Sequence, residues 1–238
     1  MSATGRGGER RKDDVYYTPA WCVHRLYEHS RRLKMWFRHE NSALIEPFAG
    51  DGAIIRALID KGLDRRYPII VNELREEEQE GLSKLPGVVR VRQGDFRSWN
   101  LREEYCLTSM SRLRELEVQQ DNLELFSKIG THIVISNPPY YLAMEAAKWC
   151  IENADYSFLL LRLNWLSSRG RRDFLSDAKP DIYILPDRPS FTEDGKTDGT
   201  EYAWFEFGSH TSGQITWLDL TTKEEKRKCR VKNKGEDQ

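Results

Sequence analysis

The sequence predicts a doubly wound α/β fold: a mostly parallel, seven-stranded sheet with helices on both faces and an antiparallel hairpin at one edge. Three observations predict it. Short apolar runs of strand length alternate with helical stripes along most of the chain, which implies right-handed crossovers between parallel strands. The last two runs before residue 208 have only a polar loop between them, so they pair as a hairpin. At 238 residues and 39% apolar composition, the chain is long enough to bury one substantial core.

The elements follow in order. Residues 43–48 read as the first strand and 54–61 as a short helix. A second strand at 67–72 leads into an acidic helix at 75–85, and 88–92 is a third strand. The polar segment 101–130 then carries a helix around 111–128, a helical insertion placed to contact substrate. Residues 132–136 form the fourth strand, because an apolar run this short, closed by two prolines, is a strand and not a helix. Leu142, Ala146, Ala147, Cys150 and Ile151 make one apolar stripe, predicting a helix over 141–153. "YSFLLLRL" is a fifth strand, 167–178 a helix, and 181–186 with 202–208 the hairpin, while "QITWLDL" offers one strand more. The polar ends, 1–14 and 222–238, read as mobile charged tails around a single domain at 15–221.

Composition narrows the function. A net charge of −1 argues against coating nucleic acid by bulk electrostatics, though arginine and lysine clusters at 6–12, 31–38, 162–172 and 223–234 leave room for a local basic face. Cys22, Cys106, Cys150 and Cys229 are scattered, with no metal-ligand spacing and no disulfide pattern, so no metal is expected. No apolar run approaches a membrane span, and the N-terminal stretch has basic residues without an apolar h-region. Both features predict a cytoplasmic or nuclear protein.

In such a sheet a ligand binds beyond the carboxyl ends of the strands, where strand order reverses. Those ends carry the chemistry. The first runs "LIEPFAGDGAI": Gly50 and Gly52 allow a tight turn and close backbone approach, while Glu46 would repel a dinucleotide phosphate and favours an amine or cation. The second ends at Glu73, whose carboxylate can accept from two ribose hydroxyls or simply sit at a helix start. After the third, Asp95 can accept from an adenine amine with Phe96 as an apolar wall, although a Gly-Asp turn is the plainer use of that pair. The fourth ends in Asn137-Pro138-Pro139-Tyr140, a stiff corner because proline donates no N–H and restricts the residue before it. Taken together, the four ends suit an adenosine with a cationic amino-acid tail.

At these residues the chain resembles the class I S-adenosylmethionine-dependent N6-adenine DNA methyltransferases of bacteria and phages. The likeness rests on Asn137-Pro138-Pro139-Tyr140, on the motif from Glu46 through Phe48 and Gly50 to Gly52, and on "YYTP" at 16–19. It runs in order from about residue 15 to 208 and implies the Rossmann-like methyltransferase fold. The resemblance further implies S-adenosyl-L-methionine as cofactor, with Tyr17, Thr18 and Pro19 at the N-terminal side of its site. Thr18 would hold the carboxylate, Glu46 the amine, Glu73 the ribose and Asp95 the adenine amine. Phe191 in "RPSFTEDG" best matches the family's aromatic residue between the last strands, with Tyr202 and Trp204 as neighbours in sequence, and a loop-anchoring role is equally compatible. No separate target-recognition domain is legible.

The implied substrate is double-stranded DNA with an adenine flipped out, stacked on Tyr140 and Phe191, and the implied assembly is a monomer. Asn137 and the Pro138 carbonyl would accept the hydrogens of the exocyclic amine and free its lone pair. The Asn-Pro-Pro-Tyr signature also occurs in RNA and protein-glutamine methyltransferases, so those substrates remain open. An inactive nucleic-acid-binding module and a nicotinamide oxidoreductase are the readings from other classes, the latter disfavoured by Glu46 and the missing third glycine.

Overall fold

The computed structural model describes residues 17–37, 42–63, 68–101, 131–191, 197 and 199–232, with side chains up to 227. The expected helix at 111–128 and the stretch 1–14 lie outside the described residues. Eight strands form one sheet: β1 (Ser42–Glu46), β2 (Ile69–Asn72), β3 (Val88–Arg92), β4 (Thr131–Ser136), β5 (Tyr156–Arg162), β6 (Asp181–Ile184), β7 (Tyr202–Phe207) and β8 (Ile215–Trp217). Their order is β3-β2-β1-β4-β5-β7-β6-β8, and only β7 runs against its neighbours. The expected count of seven is thus raised by β8, from the "QITWLDL" stretch. It pairs parallel to β6, so the β6–β7 hairpin is present but β8 forms the edge.

The alternation of side chains along each strand divides the core into two layers. Leu44, Val71, Ile133, Ile135, Phe158, Leu160 and Trp204 face helices α1 (Ala20–His29), α2 (Arg31–Trp36) and α3 (Ala53–Asp60). Ile45, Ile70, Val134, Leu159, Leu161 and Phe205 face the opposite way, against Ala146, Ala147, Trp149 and Cys150 of a helix at Ala143–Asn153. Both faces are covered, which is why the central strands read as near-continuous apolar runs. The Trp204 indole N–H donates to the Cys22 carbonyl at 3.0 Å, tying the β7 centre to α1.

Three helices differ from expectation for local reasons. The acidic helix narrows to a 3₁₀ turn at Glu76–Glu78 and a short α4 at Gln79–Ser83, since Glu76 and Glu80 are like charges at i,i+4 spacing and Pro86 disfavours helical backbone in the residue before it. The helix at Ala143–Asn153 is α5, and it follows a 3₁₀ turn, Tyr140–Leu142. The helix expected from 167 begins later, as α6 (Arg172–Ala178) after a turn at Arg169–Arg171. The segment read as a charged C-terminal tail instead forms α7 at Lys223–Lys232. Its start is a capping box: the Glu225 N–H donates to Thr222 Oγ1 at 3.2 Å, and Glu225 Oε2 accepts the Thr222 N–H at 2.8 Å. Arg25 to Glu225 and Lys226 to Asp187, each at 2.7 Å, dock it on the domain. Among the described residues, no helix is long and apolar enough to cross a membrane.

Candidate active site

Strand order reverses between β1 and β4, so the crevice of a doubly wound sheet opens beside Glu46 and Asn137. The glycine turn after β1 is tied down from β2. The Ala49 N–H donates to the Asn72 carbonyl at 3.0 Å, the Asn72 side-chain amide to the Pro47 carbonyl at 3.0 Å, and the Gly50 N–H to Glu73 Oε2 at 2.8 Å. Gly50 and Gly52 both have positive φ, 58° and 84°, as the turn into α3 requires.

Glu46 is 1% exposed and its Oε2 is buried without a hydrogen-bond partner in the protein. Burial pushes its carboxyl well above the ordinary range, with the nearby Asp51 and Glu73 charges adding to the effect and Arg56 opposing it. A buried, unpartnered acid beside two further carboxylates is built to receive a cation. Glu73 is also buried, and Arg75 occupies its Oε1 through both its backbone N–H and its Nε, each at 3.0 Å. Leu74, immediately after it, is 65% exposed and offers an apolar face at the tip of β2.

Asp95 caps a 3₁₀ turn at Phe96–Ser98 by accepting the Arg97 N–H at 2.9 Å, and the Arg97 side chain holds its carboxyl below the usual range. Phe96, expected as an apolar wall, lies in the core. It is 4% exposed and packs beneath the half-buried Phe48, ring centroids 4.7 Å apart, because the apolar face of α5 claims it for the second core layer.

Asn137 leaves the end of β4 with a trans backbone through the two prolines, and the Leu142 N–H closes the corner on the Pro139 carbonyl at 2.8 Å. Asn137 Nδ2 donates to Thr18 Oγ1 at 3.1 Å, which brings the segment before α1 against the corner. Asn137 Oδ1 is buried and has no partner in the protein. A buried amide oxygen left unmatched costs about 1–3 kcal/mol, a cost an arriving donor would remove. Thr18 is buried, Pro19 precedes the first turn of α1, and the Tyr17 N–H donates to the Phe191 carbonyl at 3.3 Å. Tyr16 lies outside the described residues.

Tyr140 stands half-buried over an aromatic floor. The Arg162 guanidinium lies 4.3 Å from its ring centroid and Tyr202 lies 5.9 Å away, with Phe191 edge-on to Tyr202 at 4.9 Å. Phe191 is 5% exposed, so its ring anchors the 186–191 loop in this floor and presents little open surface. Sequence reasoning missed Leu74, Arg75 and Arg162. Arg162 ends β5 and carried the same strand-end signal as the others, but its position inside an arginine cluster hid it.

No protein-family model matches the chain, and no curated protein matches it. Among solved structures it is similar to a candidate RNA methyltransferase from Pyrococcus horikoshii, at 18% identity and a TM-score of 0.50, over 81% of this chain and 84% of that one. It is also similar to the methyltransferase subunit of a type I restriction-modification system from Streptococcus thermophilus. That likeness has 12% identity and a TM-score of 0.53, over 94% of this chain and 54% of the subunit, about half its length. The mixed, mostly parallel sheet with helices on both faces is therefore a Rossmann-like methyltransferase fold.

Proposed function

We propose that the chain is an S-adenosylmethionine-dependent methyltransferase acting on the exocyclic N6 amine of an adenine flipped out of duplex DNA. The observation that carries the reading is the buried, unpartnered Asn137 Oδ1 at the switch point, held in place by Thr18. It can accept one hydrogen of an sp² amine, and the Pro138 carbonyl is the expected second acceptor. Both bonds strengthen as positive charge grows on nitrogen, which makes them differential stabilisation of the transition state.

The residues beside the glycine turn fit the cofactor. The unpartnered Glu46 Oε2 suits its ammonium group, Thr18 is the candidate for its carboxylate, and Glu73 Oε2 retains acceptor capacity for a ribose hydroxyl. Full engagement of the ribose requires Arg75 to yield part of its hold on Glu73 Oε1. Leu74 would offer a face for the adenine ring, and Asp95 is the candidate for its amine, a role that would require Arg97 to release it. When bound, the cofactor supplies an electrophilic methyl group on a sulfonium, which N6 takes as the C–S bond breaks, its surplus proton passing to solvent. Flipping the base costs a few kcal/mol, and stacking on Tyr140, which requires the Arg162 guanidinium to yield its place over the ring, offsets about 1–3 kcal/mol of it.

The test uses the full chain with labelled cofactor on duplex DNA, single-stranded DNA, RNA and a glutamine peptide. Label in N6-methyladenine of duplex DNA is expected, and Asn137→Ala should lose on the order of a hundred- to a thousandfold in kcat with cofactor binding retained. Label confined to RNA or peptide would remove the DNA reading. Wild-type turnover by Asn137→Ala would remove the mechanism.

A further inference from the structure

The chain after β5 does not enter the reaction just described, yet it concentrates charge at the same end of the sheet. Between Arg162 and Ser176 stand four arginines, 162, 169, 171 and 172, against one acid, Asp173, a local net of +3 in a chain whose total is −1. The segment is rigidly seated. Trp165 is buried edge-on against Phe205 and Phe207 at 5.4 and 6.3 Å, and Arg171 Nε donates to the Trp165 carbonyl at 2.7 Å while its guanidinium lies over the indole at 5.4 Å.

Arg171 thus braces the loop, and Arg169 and Arg172 are left exposed. They line a shallow cleft of about 520 Å³ together with Ser168 and Ser176, over an apolar floor of Leu166 and Leu175. Two guanidinium forks and two hydroxyls facing one cleft are anion-recognition chemistry. The cleft begins four residues beyond Arg162, which itself covers the Tyr140 ring, so it is carried on the segment that leaves the candidate site.

We infer that this cleft holds the phosphate backbone of the substrate duplex beside the extruded nucleotide, with Arg169 and Arg172 as its phosphate contacts. The inference rests on the DNA reading above and adds the surface that docks the substrate. Asp173, paired with Arg172 at 2.8 Å, is itself highly exposed and can turn to solvent when a phosphate arrives.

The experiment is binding of a fluorescent duplex to the full chain across a salt series. Losing two phosphate contacts in Arg169→Ala/Arg172→Ala should reduce the slope of log affinity against log salt by about 1.8 and weaken binding on the order of tenfold. Arg169→Lys/Arg172→Lys, which keeps the point charges, should restore most of that slope. Lys84→Ala, just before the amino end of β3, should leave it unchanged. An unaltered slope in the double alanine variant, tighter binding of duplex RNA than of duplex DNA, or failure of the wild type to bind duplex DNA would each overturn the inference. If the slope falls but the wild type methylates no nucleic acid, the docking surface stands and the reaction reading fails. If DNA is methylated and the slope is unaltered, the reverse holds.

Discussion

Asn137 Nδ2 donates to Thr18 Oγ1 across 119 residues of chain, so the segment leading into α1 sets which way the amide at the end of β4 points. Turning that amide over would exchange its buried oxygen for an N–H donor facing the target amine. Thr18→Val keeps the shape and removes the hydroxyl. Leaving the Asn137 N–H donor unpaired costs about 1–3 kcal/mol, which predicts a fall of roughly five- to a hundredfold in kcat. A wild-type kcat in single-turnover assays would show that Asn137 is aimed by something else.

Glu46 should make the stability of the ligand-free protein fall with rising pH. Its carboxyl titrates well above the ordinary value of about 4.3, so between those two values the native state binds more protons than the unfolded one. Stability from this group is complete below the ordinary value and is lost as pH rises through the raised one. Glu46→Gln should flatten that decline in denaturant midpoints measured from about pH 4 to pH 8, while weakening cofactor binding. An unchanged slope would mean that Glu46 is charged in the native protein.

Tyr140→Ala removes the ring under the Arg162 guanidinium. With stacking worth ~1–3 kcal/mol, the KM for DNA should rise roughly five- to a hundredfold, and cofactor affinity measured by calorimetry should hold. Collapse of cofactor binding would move Tyr140 out of the target pocket.

The two glycines of the turn should respond unequally to alanine. At Gly52 a Cβ would meet Leu85 Cδ1 at 2.5 Å and Leu82 Cδ2 at 3.1 Å, on top of a φ of +84°. At Gly50 the nearest atom is Arg75 Nη2 at 3.8 Å and φ is +58°. Left-handed backbone costs each variant about 1–2 kcal/mol, so Gly52→Ala, with its clash, should lose the more in urea midpoint. Equal losses would show that Leu82 and Leu85 yield freely.

Much of this architecture was legible locally. Alternating runs located β1 to β7 to within two residues at each end, and β3 at Val88–Arg92 matched without change. The rule that ligands gather at carboxyl strand ends pointed to Glu46, Glu73 and Asn137, and the first two lie buried at those ends while Asn137 is half-buried with its Oδ1 enclosed. The capping box Thr222–Glu225 is equally local, although the charge of the segment by itself suggests a tail. Phe96 illustrates the opposite case: its neighbours in sequence suggest a wall of the ligand site, and its packing against Trp149 on α5, centroids 6.1 Å apart, is a tertiary contact.

What the sequence determined alone is the succession of strands and helices and the side chains carried at each strand end, because periodicity and turn chemistry operate over a few residues. Tertiary structure decided the insertion of β7 between β5 and β6, the seating of Thr18 on Asn137 and the stacking of Arg162 over Tyr140. Each joins residues far apart in the chain, and such contacts are chosen by which packing of both sheet faces buries the most apolar surface without stranding a polar group.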